Sequence, residues 1–215
     1  MEFALLSGLD QNERRALLAN ARRRKFAKRE VIFHEGDVGE SLHLVDSGHV
    51  GIRITTPMGD VAFVRIIAPG EFFGELALLS PGARSATAIA LEGAQTLSIQ
   101  RGQFDELRHT NTAATEVLIT ALATEVRRLA GAHVEALYLP AEKRVFRRLL
   151  DVARAYTATA PAVVPITQDE IAQLAGTTRP TANRLLREAQ DAGAIELARG
   201  RIEVNDFAWL ERRGR

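Results

Sequence analysis

The residues with the clearest chemistry run Gly70-Glu71-Phe72-Phe73-Gly74-Glu75-Leu76-Ala77-Leu78-Leu79, followed by Arg84-Ser85-Ala86-Thr87. A glycine-broken turn that enters a short apolar helix presents backbone amides to an anion. Arg84 is always charged and can pair with phosphate through two parallel donors, and Ser85 sets a hydroxyl beside it. Glu75, at the mouth of the helix, can accept hydrogen bonds from a sugar hydroxyl. Sugar and phosphate held side by side describe a nucleotide. The expected effector contacts here are Gly74, Glu75, Leu76, Arg84, Ser85 and Ala86.

A second motif lies in the run from Ile166 to Leu186 and reads as helix-turn-helix. Thr167 caps the first helix, and Glu170 three residues later completes a capping box. Ile171 and Leu174 face inward, Gly176 supplies the tight turn, and Thr178 caps the second helix. Ala182, Leu185 and Leu186 form a buried stripe that leaves Arg179, Pro180, Asn183 and Arg184 outward. Arginine is the commonest reader of guanine in the major groove, and Thr178 and Thr181 are placed for phosphate. Beyond the helix, Ala194 to Leu197 and Ile202 to Val204 flank the turn Ala198-Arg199-Gly200-Arg201. They form a hairpin wing with a basic tip at Arg199 and Arg201. The bland alternative, a helical hairpin with solvated arginines, does not explain why cap, turn glycine, stripe and wing agree.

These two motifs need scaffolds. A short amphipathic helix from Asp10 to Ala21 leads into the basic run Arg22-Arg23-Arg24-Lys25, read as a solvated approach to a barrel. Strand-like pieces follow at Val31–Phe33, Ser41–Val45, Val50–Ile54, Ala62–Ile67, Thr87–Ala90 and Gln95–Ile99, with turns at Asp46-Ser47-Gly48 and Met58-Gly59-Asp60. That spacing predicts a β-barrel or jelly roll interrupted by the cradle. From Asn111 to about Leu137 the texture is one long helix with an apolar track at Val126, Leu129, His133 and Ala136, preceded by Leu118 and Leu122. The track is buried either by a second copy or by the chain's own barrel, and a coiled-coil seam favours the second copy. Tyr138-Leu139-Pro140 reads as a hinge, with Pro140 at the first position of a helix from Ala141 to about Ala155. A loop from Thr157 to Pro165 separates that helix from the second motif.

The fold class expected is therefore α+β, with an effector domain over 1–110, a dimerisation helix and hinge over 111–139, and a winged helix-turn-helix over 140–215. Composition agrees with a globular chain: 46% of the 215 residues are hydrophobic and 26% charged. Residues 1–139 hold 15 Lys and Arg against 17 Asp and Glu, and residues 140–215 hold 13 against 10, so the C-terminal part is net basic. Cysteine is absent, which removes disulfides, thiolate zinc sites and cysteine-ligated iron–sulfur clusters. No apolar run approaches the ~20 residues a membrane span needs. The segment Met1-Glu2-Phe3-Ala4-Leu5-Leu6 lacks the basic start of a secretion signal, so the expectation is a cytoplasmic protein with no membrane partner. His34, His43, His49, His109 and His133 show no metal-ligand spacing, and no catalytic constellation is recognisable, so no catalytic residue, metal or required cofactor is expected. The basic end Arg212-Arg213-Gly214-Arg215 reads as a phosphate contact or a frayed tail, behind Phe207 and Trp209 packed on the winged domain.

Both motifs, in this order and joined by a long helix, resemble the cyclic-AMP receptor (Crp/Fnr) family of bacterial transcription regulators, over essentially the whole chain. The resemblance implies that Gly74 and Glu75 hold a ribose, and that Arg84 and Ser85 hold a cyclic phosphate. It implies that Arg179 and Arg184 read bases, with Thr178 and Thr181 on the DNA backbone. Where the family's cyclic-AMP binder uses a Thr-Ser pair to contact adenine across the dimer, this chain has Leu129 and Ala130. Where the family carries an outward glutamate on the recognition helix, this chain has Pro180, so a C·G pair is not read by a carboxylate there. His133 stands where the family's seam is usually apolar. The function implied is a homodimeric regulator of a palindromic operator, set by a small anionic effector such as cAMP or another cyclic nucleotide, with RNA polymerase as a further partner. The alternatives are an effector-independent regulator with a vestigial pocket and, from a different class, an enzyme acting on a nucleotide.

Overall fold

The computed structural model describes residues 3–79 and 82–215, so Met1 and Glu2 of the N-terminal reading lie outside it. It divides into two compact units, Met1–Ile54 with Ile67–Ala130, and Thr55–Ile66 with Gly131–Arg215.

The first unit opens with a 3-10 turn at Ala4–Leu6 and the helix α1 (Gln11–Asn20). Asp10 caps α1: its carboxylate accepts from the amides of Asn12 at 2.7 Å and Glu13 at 2.9 Å, while Glu13 accepts from the Asp10 amide. Along the chain follow the strands β1 (Arg22–Phe26), β2 (Val31–Phe33), β3 (Ser41–Ser47), β4 (Val50–Thr55), β5 (Val61–Ile67), β6 (Phe72–Phe73), β7 (Thr87–Ala90) and β8 (Ala94–Gln100), of which β5 up to Ile66 falls within the range of the second unit. They form two antiparallel sheets, ordered β1-β8-β3-β6 and β2-β7-β4-β5. The cradle inserts one helical turn, α2 (Leu76–Leu79), between β6 and β7.

Alternation along β3 explains how one strand serves two cores. Leu42 and Leu44 pack with Leu97 and Ile99 of β8 against α1 and the helices α3 (Arg101–Thr110) and α4 (Thr112–Tyr138), through Leu17, Phe104 and Leu118. Val45, on the opposite face, joins Val50, Ile67, Phe73 and Ala88 between the sheets. His43 shares that inward face.

The basic run read as an approach to the barrel is itself a strand. β1 pairs with β8 from Arg22↔Ser98 to Phe26↔Ala94, with its four charged residues exposed and only Phe26 buried. Charges along an edge strand keep it from recruiting further strands. Hydrophobic alternation could not reveal it, because its ladder partner supplies the order.

The second unit holds α5 (Ala141–Tyr156), β9 (Ala162–Val164), α6 (Gln168–Leu174), α7 (Arg179–Asp191), β10 (Ile195–Ala198), β11 (Arg201–Val204) and α8 (Phe207–Gly214). The wing is three-stranded, β10-β11-β9, so the loop expected over 157–165 contains a strand. Pro140 is the cap of α5 rather than its first helical residue, with ψ at 149°. The C-terminal run is also helical to Gly214: Asp206 caps α8 by accepting from the Trp209 amide at 2.9 Å, and Trp209 meets Phe146 edge-on at 5.2 Å. Arg213 and Arg215 pair with Glu142 and Glu211, which corrects the expectation of a frayed tail. Among the described residues no helix is long and apolar enough to cross a membrane.

Candidate functional site

The cradle forms around a buried arginine. Arg84 is only 7% exposed. Its guanidinium lies 4.0 Å from the centroid of the Phe33 ring, and donates from Nη1 to the Gly74 carbonyl and from Nη2 to Ser41 Oγ, both at 3.1 Å. Burial lowers its pKa, while the charges of Asp37 and then Glu75 act in the opposite direction. Arg84 Nε is buried with no hydrogen-bond partner. An underpartnered buried donor on a cation is a place for an anion. The residues present therefore fit an anionic effector.

Gly74 is required by this geometry. Its φ is +83°, and a Cβ there would stand 2.6 Å from Arg84 Nη1 and 3.2 Å from the Ser41 carbonyl. The structure thus brings Gly74, Glu75 and Arg84 together as the sequence predicts. Ala86 is buried beside them in sequence, and Ser85 and Leu76 are exposed. Leu129 and Ala130 are exposed on α4.

Sequence reasoning missed Phe33, Ser41 and His43. His43 is 3% exposed, stacks on Phe73 at 5.1 Å, and hydrogen-bonds Thr96 Oγ1 at 3.0 Å through Nδ1. Desolvation first, then the charges of Arg84 and Arg24, press its pKa from 6.5 to about 3. The ring is therefore neutral at physiological pH, a spacer between the arginine and the sheet. In the unfolded chain it takes up a proton near pH 6.5, and in the fold only near about 3. Its contribution to stability is complete above the upper value and drains away as pH falls towards the lower one. Between pH 7.5 and pH 5 the wild type should lose about 2 kcal/mol more stability than His43→Phe in urea unfolding. Equal losses would overturn the neutral-ring assignment.

The second site lies on α7. Thr167 and Glu170 form the predicted capping box, with the Thr167 amide donating to Glu170 Oε2 at 2.7 Å and the Glu170 amide to Thr167 Oγ1 at 3.2 Å. Gly176 takes φ +57° at the turn, and Arg144 of α5 fixes that turn from below. It donates to the carbonyls of Ala175 at 2.8 Å, Gly176 at 3.0 Å and Leu139 at 2.5 Å, joining the hinge to the turn. Glu135 adds a second tie from α4, pairing with Arg147 at 2.8 Å and with Arg148.

Thr178 caps α7, accepting from the Thr181 amide at 3.4 Å, and the two hydroxyls lie 2.9 Å apart. Arg179, Pro180 and Arg184 are exposed as expected, but Asn183 is half-buried and donates to Gln168 Oε1. Arg179, Arg184 and the unpredicted Arg187 line one open concave surface with Pro180 and Asn183. Arg199 and Arg201 are exposed at the wing, where Gly200 takes φ +71°. Guanidiniums on a protruding helix and on a flanking hairpin suit base edges and phosphates respectively.

Comparison with known proteins finds a family for each of the two regions. The cyclic nucleotide-binding domain family matches residues 23–111, and the Crp-like helix-turn-helix domain family matches residues 143–213. The chain is similar to the cyclic AMP receptor protein of Thermus thermophilus, 35% identical over 96% of this chain and 94% of the relative. It is also similar to the CRP-like cAMP-activated global transcriptional regulator of Mycobacterium tuberculosis, 27% identical over 98% of this chain and 96% of the relative. The crystal structure of the Thermus thermophilus catabolite activator protein aligns over 98% of both chains at 32% identity, with a TM-score of 0.58. The chain belongs to the Crp/Fnr family of transcription regulators. It is a DNA-binding regulator with a cyclic nucleotide-binding domain.

Proposed function

We propose that the protein acts in the cytoplasm as a homodimer on a palindromic operator, and that a cyclic nucleotide, cAMP first among candidates, sets its affinity for that DNA. The observation that supports this reading most is Arg84, buried on Phe33 with an unpartnered Nε in a cyclic nucleotide-binding domain. Gly74, Glu75 and Leu76 would hold the sugar, and Arg84, Ser85 and Ala86 the cyclic phosphate. Residues 1–110 sense, 111–139 pair and transmit, and 140–215 bind DNA.

The mechanism is a shift of population. The ligand must bind the DNA-competent arrangement more tightly than the other, or it changes nothing. An arginine–phosphate contact of about 1.5–3 kcal/mol, made mainly in one state, biases the equilibrium tenfold or more. The paired α4 helices would pass that bias through Tyr138-Leu139-Pro140. Two recognition helices then stand about 34 Å apart, one turn of DNA, with Arg179 and Arg184 on bases. Thr167, Thr178, Thr181, Arg199 and Arg201 hold the backbone, and RNA polymerase is the further partner.

A second reading rests on Leu129 and Ala130, whose side chains offer an adenine no hydrogen bond. In it the pocket is vestigial and DNA is bound constitutively. A titration of operator DNA with and without cAMP or cGMP separates the two. At least tenfold tighter binding with nucleotide is the expected result. Equal affinity in all conditions would replace the first reading with the second.

A further inference from the structure

The recognition helix carries its own carboxylate, and it is already engaged. Glu188 lies one turn after Arg184 and takes the Nη1 of that arginine through Oε1. Its other oxygen, Oε2, lies 3.6 Å from Nη2 of Arg213 on α8. Arg213 is fixed in turn: it pairs with Glu142 of α5 at 3.2 Å, and its guanidinium lies 5.4 Å from the Trp209 ring and 5.8 Å from the Phe146 ring. A chain of charges thus runs from the hydrophobic base of the winged domain to the side chain placed to read DNA.

An isolated surface pair between residues four apart would be loosely held. Here the carboxylate is gripped from the far side by an arginine set beside the buried Phe146 ring and the half-buried Trp209 ring. That second grip restricts Glu188, and through it Arg184. With Nη1 held, the Nε–Nη2 edge of Arg184 remains to meet a guanine O6 and N7 as a fork.

We infer that Glu188, braced by Arg213, is a positioning residue that sets the angle at which Arg184 meets its base, and so fixes sequence specificity at that base pair. The inference rests on the reading of Arg184 as a base reader. A negative charge beside the DNA also weakens contacts with phosphate wherever they occur. Glu188 should therefore lower affinity for arbitrary DNA while raising discrimination at one position.

The test compares wild type, Arg184→Ala, Glu188→Gln and Arg213→Met by selection from a randomised operator library. Affinities for the selected operator and for unrelated duplex are then measured at one salt concentration, with thermal unfolding as a check on folding. Glu188→Gln should relax the same base pair that Arg184→Ala relaxes, with discrimination there falling by about threefold to tenfold, a fraction of a full base contact. Binding to unrelated duplex should tighten. Arg213→Met should reproduce the loss of discrimination in weaker form, and combining it with Glu188→Gln should add little. A purely structural role would weaken both kinds of DNA binding together. Relaxation by Arg184→Ala but not by Glu188→Gln would overturn the inference and leave Arg184 as the reader. No relaxation by Arg184→Ala would overturn both.

Discussion

Arg84→Ala should abolish the dependence of DNA binding on cyclic nucleotide and weaken nucleotide binding by about tenfold to a hundredfold, the value of a charge-assisted contact to phosphate. The substitution deletes the buried cation of the cradle, and the described residues it touches carry no charge that could replace it. Phe33 and Ala86 are apolar, Ser41 is neutral, and His43 is held unprotonated well below physiological pH. It also leaves the Gly74 carbonyl and Ser41 hydroxyl without the donor they share. Arg84→Lys separates charge from geometry, because a lysine keeps the charge but cannot span both acceptors as a planar fork. It should bind nucleotide more weakly than wild type and more tightly than the alanine variant. Calorimetric titration of cAMP against the three proteins reads the series directly. Unchanged affinity in Arg84→Ala would remove the cradle from the mechanism, whatever the DNA-binding behaviour of the protein.

The same residues show what a linear sequence reveals and what it hides. Gly74, Glu75 and Arg84 were legible because their chemistry is local: a turn glycine, a carboxylate and a cation within one loop. Phe33, Ser41 and His43 are supplied by β2 and β3, and only the pairing of strands carries them to Arg84. Their residue types, an apolar ring, a hydroxyl and an imidazole in strand-like runs, are those of ordinary interior positions. The helix-turn-helix was legible in nearly every part, since caps, turn glycine and buried stripe are all short-range signals. Which outward side chains stay free was not. Asn183 is taken by Gln168 from α6, and Arg184 by Glu188, contacts that depend on helix packing and rotamers. Nor could the sequence show that the last basic residues would be drawn inward, because Arg213 needs Phe146, Trp209 and Glu142 assembled around it.

If α4 pairs as proposed, Val126→Glu should yield a monomer and cost operator affinity about a hundredfold to ten-thousandfold, the range in which two linked binding modules exceed one. The apolar track on α4 divides into two parts with different fates. Leu118 is buried in the core of the first unit, with Phe104 and Leu17. Val126 and Leu129 are 64% and 47% exposed, and His133 and Ala136 continue the exposed line. The chain's own barrel therefore accounts for the start of the track and leaves the rest uncovered. An apolar side chain of this size gains about 1.5–3 kcal/mol on full burial, and a two-fold seam gains it twice at each position. A carboxylate at Val126 reverses that gain on both helices and sets two like charges across the axis without partners. Position 126 lies outside the cradle and α7, so nucleotide binding to the first unit should survive in the variant. Sedimentation velocity gives the oligomeric state, and titration of full operator against a single half-site gives the share of affinity due to pairing. A variant that still sediments as a dimer and still prefers the full operator would move the interface away from this face of α4.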